Sequence, residues 1–206
     1  MSVREEKKHQ TRQALMQAAL QLSYEKGSFS NISLRELTLA VDLVPSAFYR
    51  HFPSLEQLCL ELIDHVSHQI RNVCHCIGKM IMERPEIQRE ERIGYFFKMV
   101  EKYPEYWHFF IAEYLTGNAQ SRKALHREYD FLLQDMIERL ADINDFKNVK
   151  DPEKAESFAE FFLQSLMAWA KDYLAILQQD IATQEYKKQM LKQRILKRVA
   201  FLHAAL

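Results

Sequence analysis

A short stretch near the amino end combines side chains that can recognise a nucleic acid. Tyr49, Arg50 and His51 stand in succession between two phenylalanines, Phe48 and Phe52. The two phenylalanines are apolar and are expected to point into a core, which leaves the tyrosine and the arginine facing outward. A guanidinium can donate two hydrogen bonds to one guanine edge, the commonest specific contact in a major groove. The residue types therefore indicate base reading by Arg50 and Tyr49.

Small and polar residues just before this stretch fit the same function. Ser46 and Ala47 allow the backbone to come close to a duplex, and hydroxyl, guanidinium and imidazole groups can bind phosphate. We assign base-edge contacts to Tyr49 and Arg50, and phosphate contacts to Ser33, Arg35 and His51. The full set of predicted DNA-binding residues is Ser33, Arg35, Pro45, Ser46, Ala47, Tyr49, Arg50 and His51.

Residues 33–52 are predicted to form two short helices joined by a tight turn. Ser33 and Glu36 have the spacing of a capping box, which begins a helix at Leu34. Asp42 suits a left-handed turn, Pro45 suits the first turn of the next helix, and Pro53 stops that helix. Gly27 can take the left-handed position that follows a helix, so the first helix should end near Lys26. Two short helices cannot form a core alone, so they must pack on this first helix. This is helix-turn-helix geometry, although a helical corner without a DNA role has the same pattern.

Charge supports DNA binding only weakly. The 206 residues carry 28 basic and 28 acidic side chains, and residues 1–53 carry 7 basic and 5 acidic ones. This balance argues against a highly basic architectural protein and against an acidic disordered tail. The small local excess predicts few phosphate contacts per subunit and a modest salt dependence, about −0.9 in slope for each contact.

The composition predicts an all-α chain. Four glycines and five prolines are too few for the many turns of an all-β fold, and apolar residues recur with helical spacing throughout. About nine helices are expected, with a three-helix helix-turn-helix domain in residues 1–57 joined to a ligand-binding and dimerisation bundle in residues 58–206. The last two helices, predicted at residues 151–179 and 185–204, are amphipathic. Two copies of them can pair as a four-helix dimer interface.

Large rings are concentrated in the middle of the chain. Ordinary core packing explains any one of them, but their abundance is also typical of an apolar cavity between helices. A regulator with a filled core and no ligand is the alternative to a ligand-binding one. The candidate pocket residues are Phe96, Tyr103, Trp107, Phe110, Tyr114, Phe131, Phe162 and Trp169.

Two patterns raise the alternative of a helical-bundle enzyme, with or without a metal. Histidines and cysteines between His65 and Cys76 include metal-ligand types, but Cys74 and Cys76 lie about 200° apart on a helix. Glu105 and His108 have the spacing of di-iron bundles, as do Glu6 and His9, which we expect in a frayed amino-terminal arm. We predict no catalytic residue, no metal and no cofactor.

Cysteine use and hydropathy suggest the compartment. Three cysteines do not form a disulfide framework in a chain of this length, which predicts a reducing environment. The first twelve residues are polar and charged and lack the apolar segment of a signal peptide, so we expect none. No apolar run approaches the ~18 residues of a membrane-spanning helix. We therefore expect a cytoplasmic protein without a membrane partner.

Residues 10–63 resemble the DNA-binding domain of the TetR family of bacterial transcriptional regulators. The resemblance implies an all-helical homodimer that binds a palindromic operator through its amino-terminal domain, with repression relieved by a small molecule. Three positions depart from the family pattern: Asp42 replaces a turn glycine, Ser46 a frequent glycine, and Leu55 a phosphate-contacting lysine. The matching residues are Thr11-Arg12, Ala18-Ala19, Gly27, Ser33-Leu34-Arg35-Glu36, Phe48-Tyr49-Arg50-His51-Phe52 and Ser54-Leu55-Glu56-Gln57-Leu58.

Within that family, the chain is similar to the repressors of unsaturated fatty-acid synthesis. The similarity lies in residues 28–36 and 45–52, and it extends to the stretch that runs from residues 103–105 through 118–119 into 127–128. It implies a long-chain acyl thioester as the effector. No cluster of arginine or lysine in the ring-rich middle offers an evident partner for an anionic ligand.

Overall fold

The computed structural model describes residues 2–83, 87–142 and 151–205. Within these residues the chain forms nine α-helices, one short 3-10 turn and no strand, which confirms the all-α prediction. The helices are α1 (Val3–Lys26), α2 (Leu34–Leu39), α3 (Pro45–Phe48), α4 (Leu55–Met82), α5 (Arg89–Lys102), α6 (Pro104–Thr116), α7 (Ala119–Asp142), α8 (Pro152–Leu177) and α9 (Ile181–Ala205).

Helix α1 includes the residues that we expected to form a frayed amino-terminal arm. Ser2 and Glu5 form a reciprocal capping box, so the helix starts at Val3 and the expectation of a frayed arm around Glu6 and His9 was wrong. The capping spacing was present in the sequence, but no apolar stripe follows it before Leu15. At the other end Gly27 takes the predicted left-handed conformation, with φ of 81°.

The helix-turn-helix segment forms from local signals. Ser33 caps α2 and Glu36 completes the capping box, Asp42 is left-handed with φ of 53°, and Pro45 occupies the first turn of α3, all as predicted. Helix α3 ends at Phe48 and is therefore shorter than predicted, since Pro53 was expected to stop it. Bonds from Arg50 N–H to the Ala47 carbonyl and from His51 N–H to the Phe48 carbonyl continue the chain as a tighter turn.

The chain divides into two compact units. The first contains the residues up to His68 together with Glu105–Arg127, and the second contains Gln69–Pro104 and the residues from Glu128 onward. The residues of α4 and α7 are therefore divided between the units. No helix among the described residues is long and apolar enough to cross a membrane.

In the first unit a buried carboxylate joins α6 to the segment after α1. Glu113 is 1% exposed, and its Oε1 accepts hydrogen bonds of 2.9 Å from both the Ser28 hydroxyl and the Phe29 N–H. The Phe29 ring meets Phe109 of α6 edge to face at 6.2 Å. A buried carboxylate needs such donors, since an unpaired one is costly in an apolar interior. Glu113 thereby fixes the entry into the helix-turn-helix segment.

In the second unit, α5, α8 and α9 pack on one another around aromatic rings. Phe97 and Tyr173 are both fully buried and stack at 4.4 Å between ring centroids. The Tyr173 hydroxyl donates to Glu101, which also pairs with Lys188 of α9 at 2.7 Å. Burial, and then the Glu101 carboxylate, raise the pKa of Tyr173 above its ordinary value, so its hydroxyl stays protonated.

Candidate nucleic-acid interface

Residues 48–52 at the end of α3, which we call the corner, present the two predicted base-reading residues to solvent. Tyr49 is 59% exposed and Arg50 is also exposed, whereas Phe48 and Phe52 are fully buried, as predicted for the phenylalanines. The two phenylalanine rings stack at 5.7 Å between centroids, and Tyr49 meets the Phe48 ring edge to face at 5.5 Å. The buried rings therefore fix the backbone from which Tyr49 and Arg50 project.

The other predicted DNA-binding residues lie on α2 and α3 or directly at their ends. Arg35 is exposed on α2, Pro45 and Ser46 are exposed at the start of α3, and Ala47 is half-buried. Ser33 is exposed, but its hydroxyl accepts from the Glu36 N–H and lies 2.7 Å from the Glu36 carboxylate.

An ion pair holds the start of α2. Lys26 at the end of α1 pairs with Glu36. Together with the bonds from Ser33, this pairing lowers the pKa of Glu36 to about 2, so the carboxylate that completes the cap stays ionised at neutral pH.

A residue outside the predicted set fastens this corner to the rest of the unit. Arg12 of α1 donates to the His51 carbonyl and pairs with Glu61 of α4, while its guanidinium lies 4.1 Å from the centre of the Phe52 ring. Three elements are thus joined by one side chain. The sequence contained Arg12 among the family-like positions, but its partners lie 39 and 49 residues away and no local pattern predicts them.

His51 is half-buried beside several cations. Burial, and then the nearby charges of Lys8, Arg12 and Arg50, lower the pKa of His51 below its ordinary value. The imidazole is therefore neutral at pH 7 in the free protein. An anion at this place would offset the surrounding positive charge and favour the imidazolium.

The predicted pocket residues fall in both units. Trp107 and Phe110 are buried in the first unit, where Tyr114 is half-buried and stacks on His126 at 4.7 Å. In the second unit Phe96 and Trp169 are buried, Tyr103 and Phe162 are half-buried, and Phe131 is instead 64% exposed. Phe162 and Trp169 meet edge to face at 6.1 Å.

Neither of two surface grooves in the part of the chain that the structure describes is lined by these rings. One, of about 400 Å³, lies in the first unit, and the other, of about 460 Å³, lies in the second. The first is lined by Arg4, Lys7, Lys8, Thr11, Arg50 and His51. The second is lined by Gln88, Arg89, Glu90, Leu196, Lys197 and Ala200.

The histidines and cysteines of α4 have separate environments. His65 Nε2 lies 3.1 Å from the Tyr106 hydroxyl, and His75 Nδ1 lies 2.7 Å from a guanidinium nitrogen of Arg139. Burial raises the pKa of the Cys74 thiol to about 12, which keeps it protonated. Over residues 2–83, 87–142 and 151–205, no three His, Cys, Asp or Glu side chains are grouped so that they could hold a metal ion.

Comparison with known proteins relates this architecture to bacterial regulators. No family model matches the chain. A transcriptional regulator of the TetR/AcrR family from Aquifex aeolicus VF5 superposes with a TM-score of 0.64 at 21% identity, covering 92% of this chain and 99% of that one. The fatty acid degradation regulator FadR from Bacillus halodurans superposes with a TM-score of 0.61 at 16% identity, covering 88% and 94% of the two chains. The predicted resemblance to the TetR family is thereby confirmed at the level of the fold.

Proposed function

We propose that this protein is a ligand-responsive transcriptional regulator of the TetR type that acts in the cytoplasm. In this proposal it binds a palindromic operator as a homodimer and represses transcription until a small molecule binds. The observation that carries the proposal is the outward projection of Tyr49 and Arg50 from a corner fastened by buried rings. The fold shared with known regulators supports the same function.

In the proposed complex, some of the exposed side chains contact bases and others contact the phosphate backbone. Arg50 donates to a guanine edge and Tyr49 contacts a neighbouring base in the major groove. Arg35 and His51 bind phosphates and thereby fix the register of the corner on the duplex. Ser33 would have to release Glu36 before its hydroxyl could join them.

A homodimer explains how so small a reading surface reaches a useful specificity. Two corners about 34–36 Å apart occupy successive major grooves on one face of the duplex. We assign the dimer contact to α8 and α9, because both expose apolar side chains in the isolated chain. The most exposed of these are Phe161, Ile181, Tyr186, Met190 and Phe201.

We propose an apolar molecule, such as a fatty acyl compound, as the effector. The abundance of rings in the chain and its similarity to fatty-acid regulators in sequence support this choice. A ligand shifts the regulator only by the difference between its affinities for the DNA-binding and released states. The effector must therefore bind better to a state in which the two corners no longer match successive grooves.

Selection of duplexes from a random library tests the proposal. The wild-type protein should enrich an inverted repeat whose half-sites are about one helical turn apart. The Arg50→Ala variant should bind the enriched duplex with about 1–3 kcal/mol less free energy per half-site, because it lacks the bidentate donor. Since Arg50 is exposed, the variant should unfold at the wild-type urea concentration.

The outcome that contradicts the proposal is equally definite. A wild-type protein that enriches no duplex sequence is not an operator-binding regulator. Arg50→Ala binding with wild-type affinity would show that this corner does not read bases.

A further inference from the structure

The groove of about 400 Å³ in the first unit brings together cations from two elements. Arg4, Lys7, Lys8 and Thr11 come from α1, and Arg50 comes from the turn after α3, with His51 beside it. None of the four α1 residues belongs to the predicted DNA-binding set. They line one groove together with the arginine assigned to base reading.

The α1 side chains share one face because of their spacing. They stand at positions i, i+3, i+4 and i+7, which lie within about 100° of one another around a helix. The Ser2 capping box begins the helix before them: the Ser2 N–H donates to Glu5 Oε2 at 2.7 Å, and the Glu5 N–H donates to the Ser2 hydroxyl at 3.3 Å. An ordered helix, rather than a loose arm, therefore presents these cations.

These cations are not neutralised by neighbours. Over the described part of the chain, no carboxylate forms an ion pair with Arg4, Lys7, Lys8 or Arg50. Glu61, which lies on α4, is paired with Arg12 instead. Glu5 and Glu6 lie between Arg4 and Lys7 in the first turn of α1, but neither is among the residues that line the groove. Like charges that line one groove repel one another, so the groove offers a favourable place for a polyanion.

His51 gives an independent indication of the same kind. Its Nδ1 is buried and, among the described residues, has no hydrogen-bond partner. Buried polar atoms in folded proteins nearly always have a partner. His51 lines the same groove, so one side chain of its wall has an unsatisfied nitrogen in the free protein.

We infer that this groove binds the sugar–phosphate backbone of duplex DNA next to the base pairs contacted by Arg50. The inference rests on the proposed function and extends it: α1 becomes a second DNA-contacting element. Lys7 and Lys8 act as point charges toward phosphate oxygens, and Arg4 can donate to a phosphate in a bidentate manner. The Thr11 hydroxyl donates to the Lys7 carbonyl at 2.9 Å and would have to leave it before donating to a phosphate. The number of phosphate contacts then exceeds the few that the net charge of residues 1–53 predicts.

The salt dependence of DNA binding tests the inference. Affinity for the enriched duplex is measured over a series of KCl concentrations for the wild type and for Lys7→Gln/Lys8→Gln. Each lysine that neutralises a phosphate contributes about 0.9 to the slope of log K against log[KCl], so the double variant should lose about 1.8 per bound subunit. Its affinity for an unrelated duplex should fall by the same factor, because phosphate contacts carry no sequence information.

Two matched variants complete the experiment. Lys98→Gln/Lys154→Gln removes the same charge from exposed positions in the second unit and should keep the wild-type slope. Lys7→Arg/Lys8→Arg should restore most of the slope, since it returns the charge. An unchanged slope in Lys7→Gln/Lys8→Gln overturns the inference while the proposed function stands. Absence of any duplex binding by the wild type overturns the proposed function itself.

Discussion

Arg12 shows how one side chain can position a reading surface that it does not belong to. Its guanidinium binds the His51 carbonyl at the end of the corner, the Glu61 carboxylate of α4 and the face of the Phe52 ring. A guanidinium suits this position because it offers several donors in one plane and stacks on aromatic rings. The corner is thereby tied to α1 and α4 at the same point.

Replacing Arg12 should loosen the corner. Arg12→Ala leaves the His51 carbonyl and Glu61 without this donor, and we expect a loss of about 1–2 kcal/mol in the free energy of unfolding. The loss of stability is moderate because both partners of the ion pair are about one-third exposed and solvent screens their attraction. Urea denaturation measures the change in the free energy of unfolding. The control Arg35→Ala, at an exposed arginine, should change that free energy by less than about 0.5 kcal/mol. If Arg12→Ala and the wild type unfolded at the same urea concentration, Arg12 would not fasten the corner to α1 and α4.

The residues of the corner differ in how far the sequence predicts them. Phe48, Phe52, Tyr49 and Arg50 could be divided into inward and outward positions because burial follows residue type over one helical turn. Arg12 could not be placed, because its partners depend on how α1 and α4 pack. The cations of α1 could not be placed for a different reason: a polar stretch without an apolar stripe does not predict an ordered helix.

At the scale of elements, the junction between α6 and α7 is closely packed. Helix α6 ends where the Gly117 N–H donates to the Glu113 carbonyl at 3.0 Å. A β-carbon on Gly117 would press against that carbonyl oxygen and lie 2.9 Å from the Glu113 carboxylate. That carboxylate is the one that holds Ser28 and Phe29. A larger residue at 117 would therefore disturb both the helix end and the buried anchor.

Gly117→Ala and Gly94→Ala should have opposite effects on stability. At Gly117 the added methyl group meets backbone that cannot move aside, and such overpacking costs about 1–3 kcal/mol. Gly94 lies inside α5 with nothing within 4 Å of an added β-carbon, so alanine there should stabilise the protein by about 0.5–1 kcal/mol. Thermal or urea unfolding measures both variants. A neutral or stabilising Gly117→Ala would show that the junction has room to relax.

The ends of the elements were the most predictable part of the fold. The cap at Ser33, the left-handed Gly27 and Asp42, and Pro45 at the start of α3 all depend on two to four consecutive residues. The length of α3 was not predictable in the same way. Its last turn tightens where Arg12, 39 residues away, holds the His51 carbonyl.

At the scale of the whole molecule, α8 and α9 leave apolar surface uncovered. Phe161, Ala168 and Ala175 recur every seven residues on α8 and are all exposed. On α9, Tyr186 and Met190 are exposed one turn apart. Small and apolar residues on one helical face allow two helices to approach closely, which is what a self-complementary interface requires.

The mass in solution should equal that of two chains. Light scattering at micromolar concentration measures it directly, and Phe161→Glu should yield single chains because a carboxylate would be buried unpaired at the interface. Leu115→Glu, at an exposed apolar position on α6, should leave the dimer intact. A single-chain mass for the wild type would contradict the homodimer, and a dimeric Phe161→Glu would place the interface elsewhere.

The most direct test of the account pairs changes in the protein with changes in the DNA. Wild-type and Arg50→Ala proteins are titrated against the enriched duplex and against every single-base-pair replacement in its half-sites. If Arg50 reads a guanine, one replacement costs the wild type about 1–3 kcal/mol per half-site and costs Arg50→Ala nothing. Identical discrimination by both proteins at every base pair would show that Arg50 reads no base, and the central claim would be wrong.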